Sequence, residues 1–273
     1  MAHSMKIFNI IEGPYPELEE KYKDIDLNVL IDINVLDDKY DNSIAWLVEP
    51  PDILEYYFSQ LTTGISFYDF MTSKLKSGDH KFKCLYTFDR RYSSLPNTEI
   101  VPCCFPSWIA PEDSALYEKS KLLTFITSLK NVTPLQNLRV NIAEQLLRMN
   151  IPVYGNGINP IENKVDILKD YYFCFAIENG IHSGYHTEKV LDCFRTGTVP
   201  VYIGDPDIGE VFNTDGMIIL NDKFKLDEII SKLTIEQYEK MIPAIEENYR
   251  ISLSYNPTMD KVLDSIIELN NGR

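Results

Sequence analysis

The sequence predicts an α/β protein of two domains, on three observations. The chain has 273 residues, more than one small core requires. Short β-rich apolar runs alternate with segments of helical periodicity, and they do so in two successive series. With 44% apolar and 25% charged residues and only 12 Gly and 15 Pro, the composition is globular, which excludes disordered and fibrous classes.

The first series has apolar β-rich runs at 5–10, 28–33, 44–48, 82–87 and 100–105, with a helix expected over 53–61. The second opens with a strand at 122–126. It continues with a helix over 138–149, where Leu138, Ile142, Leu146 and Met149 recur at helical spacing. A strand at 152–154 and a short helix at 165–171 follow. Next come a near-continuously apolar strand at 173–177, a helix at 187–195, and strands at 199–203 and 217–220. From 226 onward the pattern is helical, over 226–233, 235–249 and 259–269. Pro243 is expected to kink the second of these and Pro257 to separate it from the third. This divides the chain into domains 1–120 and 121–273, with ligands expected in a cleft at the carboxyl ends of the strands.

Charge and cysteine content narrow the function classes. Twenty-six Lys and Arg against 41 Asp and Glu leave a net charge of −15, which disfavours sequence-independent binding to nucleic acid or to an anionic membrane. An anionic ligand must therefore meet a local cationic site. The five Cys show no C-x-x-C spacing and read as buried thiols of a reducing compartment. No apolar run is long enough for a membrane span, and no signal peptide is recognisable, so a cytoplasmic location is expected rather than the Golgi. Met1–Ser4, ahead of Met5, reads as an expression scar.

The chemistry concentrates between Phe173 and Ile208. Glu178 and Asn179 stand at the end of a strand. The loop that follows, with Gly180 and Gly184, leads to Thr187, a good helix N-cap, and Glu188 and Lys189 occupy the first turn. Free amides and the positive end of a helix dipole make an anion site there. Lys189 would lie on a diphosphate and Glu188 would accept hydrogen bonds from sugar hydroxyls. Glu in a first turn is also favourable without any ligand, and Lys189 can equally be a solvated charge, so spacing alone leaves both possibilities open.

The string Glu178-Asn179, then Gly184-Tyr185-x-Thr187-Glu188-Lys189, then Val199-Pro200-x-Tyr202-x-Gly204-Asp205-Pro206 and a downstream Phe212-Asn213, resembles the donor-binding signature of the α-1,3/α-1,4-fucosyltransferases, glycosyltransferase family 10. The resemblance implies a GT-B type α/β fold, two Rossmann-like domains with a cleft between them. The N-terminal domain would bind the acceptor and the C-terminal one the GDP-sugar. It implies further that Asn179, Tyr185, Glu188 and Lys189 line the donor pocket, with Arg139 as a second cation on the phosphates. A guanidinium suits that task because it can bind two phosphate oxygens at once. Residues 46–51 (WLVEPP) resemble the stretch holding the family's proposed base, which maps to Glu49.

The resemblance thus implies an inverting glycosyltransferase that moves fucose from GDP-fucose to a hydroxyl of a glycan acceptor. No resident cofactor or metal is expected, and no nucleic-acid partner. Asp24 and Asp26, and Asp205 and Asp207, spell the D-x-D of metal-dependent glycosyltransferases, but 41 acidic residues produce such pairs easily. His182 and His186 fit no part of the signature. Gly180 stands where the family has Ser, which leaves the donor sugar less fixed than the nucleotide. Two alternatives stay open: the same fold with another nucleotide sugar, and a non-catalytic nucleotide- or glycan-binding protein.

Overall fold

The computed structural model describes residues 5–8, 15–37, 39–221 and 223–272. Contacts divide the chain into two units. The first comprises 1–104, 182–185 and 257–273, and the second 105–181 and 186–256. A single cut at residue 120 therefore does not describe the division. Both the last helix and a four-residue insert of the second half count with the first unit.

In the first unit five parallel strands lie in sequence order: β1 (Lys6–Phe8), β2 (Asn28–Ile31), β3 (Ser43–Leu47), β4 (Leu85–Thr87) and β5 (Thr98–Ile100). Helices α1 (Pro16–Lys21), α2 (Pro51–Ser59) and α3 (Phe67–Ser77) join them. β3 is buried at every position, as a central strand covered on both faces must be. The expected first strand keeps residues 6–8, and positions 9 and 10 lie outside the described residues, as do Met1–Ser4. The strand expected at 100–105 lies earlier, ending at Ile100 where its pairing with β4 ends. Helix α3 was not anticipated. Ser66 caps it by accepting from the Asp69 N–H, and Gly78 ends it in the left-handed conformation.

The second unit holds β6 (Lys121–Ile126), α4 (Pro134–Arg148), β7 (Val153–Tyr154), α5 (Val165–Leu168), β8 (Tyr171–Ile177), α6 (Glu188–Arg195), β9 (Val199–Ile203), β10 (Ile218–Ile219), α7 (Leu226–Ile230) and α8 (Ile235–Ser254). Its parallel sheet runs β10-β9-β8-β6-β7. Side chains of β8 alternate between two cores: Phe173, Phe175 and Ile177 pack with α4, whereas Cys174 and Ala176 pack with α6. Helix α8 continues through Pro243 to Ser254, five residues beyond the expected end.

The chain then re-enters the first unit as α9 (Met259–Asn271). There the Tyr22 hydroxyl lies within hydrogen-bond reach of the Asp260 carbonyl oxygen at 2.9 Å and of Asp264 Oδ1 at 2.7 Å. These contacts explain why α9 does not count with the second half. All five cysteines are buried. No helix among the described residues is long and apolar enough to cross a membrane.

Candidate functional site

The strand order of the second sheet contains a reversal. From β6 the chain moves outward to β7, then returns to the other side of β6 as β8 and continues to β9 and β10. At such a switch point the loops leaving neighbouring strands diverge, which opens a crevice at their carboxyl ends. A cavity of about 340 Å³ lies there, lined by residues that follow β6 (Thr127, Ser128), β7 (Gly155, Asn156) and β8 (Glu188, Lys189). Gly155 is required by this geometry. Its φ is +120°, and a Cβ would stand 1.9 Å from the Thr127 carbonyl oxygen.

Arg139 enters the cavity from α4. Thr133 caps that helix in a capping box with Gln136, whose side chain accepts from the Val132 N–H at 2.8 Å. The cap is tied to β8, because Thr133 Oγ1 donates to the Asn179 carbonyl at 2.8 Å and Gln136 Nε2 to Asn179 Oδ1 at 3.4 Å. Arg139, only 5% exposed, donates from Nη1 to the Ile177 carbonyl at 3.2 Å. Asn179 thus joins strand end to helix cap and does not line the cavity.

Glu188 and Lys189 come from the first turn of α6, and the group behind them is Glu178. Fully buried at the end of β8, Glu178 accepts from the Thr187 N–H at 2.9 Å and from Thr187 Oγ1 at 2.7 Å, and its Oε2 stands 3.3 Å from Lys189 Nζ. Lys189 Nζ also donates to Glu188 Oε1 at 3.1 Å. Burial works to raise the Glu188 pKa, but Lys189 and Lys164 overrule it and hold the carboxyl down at about 2. Burial works to lower the Lys189 pKa; Glu188 and Glu178 reverse it, so the ammonium stays above its ordinary range. Glu188 and Lys189 are therefore both charged at neutral pH. Gly204 permits the approach of Glu178, since a Cβ there would meet Glu178 Cγ at 2.5 Å and the Tyr202 hydroxyl at 2.3 Å.

Two cavity residues carry no mark in the sequence. Lys164 Nζ lies 2.7 Å from Asp192 Oδ2 and 3.9 Å from Glu188 Oε1, adding a third cation to Arg139 and Lys189. It also sits 3.9 Å above the ring of Trp108. Lys164 stands in a polar loop and Trp108 in an irregular segment, so neither has a periodicity or spacing that would single it out. The other carboxylates of the lining, Asp113 and Glu162, are exposed.

The remaining expected residues lie in the first unit. Tyr185 is buried with its ring 5.3 Å from that of Phe88, and it lines neither cavity described here. Glu49, 8% exposed, follows β3, and its N–H donates to Oδ1 of buried Asp32 at 3.0 Å. It lines a cavity of about 320 Å³ together with Asp52, Glu55, Tyr68, Asp89 and Arg91. His182 lines it too, through a contact of Nε2 with Asp52 Oδ2. Arg91 is clamped on Asp89, with Nη2 at 2.6 Å from Oδ2, so its charge is answered locally. In the second unit His186 bridges Asp205 Oδ2 at 2.9 Å and the Tyr255 hydroxyl at 2.8 Å. Asp205 also accepts from the Asp207 N–H at 2.9 Å, so the D-x-D pair forms a turn.

Two parallel α/β units with a polar crevice at a switch point define the fold of the GT-B glycosyltransferases. A solved α1,3-fucosyltransferase with GDP shares that fold, with a TM-score of 0.55 at 15% identity over 95% of this chain and 87% of the other. Residues 116–242 match the family described as "Glycosyltransferase family 10 (fucosyltransferase) C-term". Residues 116–242, most of them in the second unit, are thus similar to the C-terminal domain of that family. Among relatives, "Alpha-(1,3)-fucosyltransferase FucT" of Helicobacter pylori is 31% identical over 97 residues, covering 36% of this chain and 19% of the relative. Human "4-galactosyl-N-acetylglucosaminide 3-alpha-L-fucosyltransferase 9" is 26% identical over 141 residues, covering 50% of this chain and 36% of that one. The matches thus span about a fifth to a third of these relatives' lengths.

Proposed function

We propose that the protein is an inverting fucosyltransferase that uses GDP-fucose and a glycan acceptor. The observation that carries this is the convergence of Arg139, Lys164 and Lys189 on one cavity of the second unit, in a chain whose net charge is −15. Cations so placed answer the charge that grows on a departing diphosphate. In the reaction an acceptor hydroxyl oxygen bonds to the anomeric carbon on the face opposite GDP, the bond from that carbon to the β-phosphate oxygen breaks, and GDP leaves with the electron pair. Glu49 takes the hydroxyl proton. Its position at the end of β3, lining a cavity of its own unit, supports that role. The carboxylates beside it favour an acceptor rich in hydroxyl donors and without acid groups. Glu188 orients hydroxyls of the donor. Arg139 and Lys189 supply positive charge, so the reading includes no resident metal or cofactor.

The test is calorimetric titration with GDP-fucose, GDP-mannose, GDP and UDP in the presence of EDTA, followed by transfer assays on a panel of neutral oligosaccharides. GDP-fucose and GDP should bind more tightly than UDP, and Lys189→Ala should weaken both about 10- to 100-fold, as loss of a charge-assisted contact does. Glu49→Gln should keep GDP-fucose affinity and lose transfer about 100-fold or more. Binding without product in every assay would favour the non-catalytic alternative, and failure of all GDP ligands to bind would remove the donor assignment.

A further inference from the structure

Of the two tryptophans in the chain, Trp46 is 1% exposed inside β3, whereas Trp108 is 71% exposed and lines the cavity of the second unit. An indole is costly to leave in water, since burying it removes more apolar surface than any other side chain would. Trp108 is nevertheless anchored. Its backbone N–H donates to Asp192 Oδ1 at 2.8 Å, and the neighbouring Ser107 hydroxyl donates to the same oxygen at 2.6 Å. Asp192 is itself buried on α6, one turn beyond Glu188. On the other side, the Ile109 carbonyl accepts from Arg195 Nη1 at 2.6 Å.

The chain thus fixes the backbone around Trp108 and leaves most of the side chain exposed. The Lys164 ammonium stands 3.9 Å over one face of the ring, 2.7 Å from Asp192 Oδ2 and 3.9 Å from Glu188 Oε1. Asp192 therefore holds both the backbone of Trp108 and the cation that stands over its ring. An exposed aromatic plane on a fixed backbone, in the same cavity as three cations, matches a ligand with a flat heteroaromatic base at one end and phosphates at the other.

We propose that Trp108 is the stacking platform for the nucleobase of the donor and that Lys164, placed by Asp192, reinforces the stack, so that this pair selects a purine nucleotide over a pyrimidine one. A purine presents the larger π-face and gains more from such a plane. The inference rests on the donor reading above for the nucleotide, and it adds the residue that discriminates among nucleotides.

The arrangement supplies its own probe, because Trp46 is buried in the other unit and Trp108 reports from the cavity. GDP, UDP and inorganic pyrophosphate are titrated into the 273-residue chain, following tryptophan emission and, in parallel, heat. The expected result is saturable quenching by GDP, weaker quenching by UDP, and none by pyrophosphate although pyrophosphate binds. Trp108→Ala keeps the backbone N–H that Asp192 holds. It should weaken GDP about 5- to 100-fold, the range seen for loss of one base–aromatic stack. It should leave pyrophosphate affinity unchanged and erase the preference for GDP over UDP.

Equal loss for GDP and pyrophosphate would mean that Trp108 only supports the fold of the cavity, and unchanged GDP affinity would mean that the base does not touch it. Either outcome overturns the proposal while GDP binding itself leaves the donor reading standing. If neither GDP nor UDP binds the wild-type chain, the donor reading falls and this inference falls with it.

Discussion

At the scale of single residues, the informative group is Glu188, a buried carboxylate kept ionised by two lysines. An ordinary Glu titrates near pH 4.3, and Glu188 is held down at about 2. A carboxyl whose folded pKa is depressed contributes stability above its unfolded pKa and loses it as pH falls through the folded one. The difference of about 2 units corresponds to an upper bound of about 3 kcal/mol, fully present above about pH 5 and gone near pH 2. Urea denaturation of the wild type and of Glu188→Gln across pH 6 to 2.5 checks this. The difference between the two curves should shrink steadily below pH 5, and a constant difference would show that Glu188 is not held by the lysines. Its identity was legible in the sequence, because Thr187-Glu188-Lys189 spells a helix start. Lys164, which supplies the second of the two lysines, was not, since it approaches Glu188 only through the fold.

At the scale of elements, the helix α4 decides where Arg139 stands. Its N-cap Thr133 is fully buried and both accepts from the Gln136 N–H at 3.1 Å and donates to the Asn179 carbonyl. Thr133→Ala should cost about 1–2 kcal/mol of stability, the usual effect of losing a cap. It should also weaken GDP binding, because the strand-to-helix tie that orients Arg139 is lost. Thermal melting and GDP titration measure the two separately. Thr133→Ser, which restores the hydroxyl, should recover both. Elements with strong patterns are legible directly in the sequence: β8 as a continuous apolar run, β9 over the full Val199–Ile203, α6 from its cap. The start of α4 was placed four residues late, because the apolar repeat begins at Leu138 whereas Pro134 and the Thr133 cap begin the helix. Helix α3 was passed over for a related reason. Its signal is the Ser66 cap and the closing Gly78, while its interior mixes Phe67, Met71 and Leu75 with lysines.

At the scale of the molecule, the excess of 15 negative charges acts against any nucleotide, and the site must overcome it locally. Composition made that conflict legible. It could not say which of 26 basic residues resolve it, because Arg139, Lys164 and Lys189 come from three separate stretches that only the β6–β7–β8 reversal brings to one cavity. The two opposing fields respond differently to salt. Repulsion arises from exposed carboxylates spread over the surface and is screened beyond about 10 Å at 0.1 M ionic strength. Attraction arises from cations that are buried or nearly so, such as Arg139 and Lys189, and is screened much less. Raising sodium chloride from 50 to 300 mM should therefore change the GDP dissociation constant by less than about threefold, since weakened attraction and relieved repulsion offset each other. A basic phosphate-binding surface loses orders of magnitude over a similar range. Titrations at four salt concentrations decide between the two. A fall of tenfold or more would place the decisive cations in open solvent, and the account of a charged, buried donor site would then be wrong.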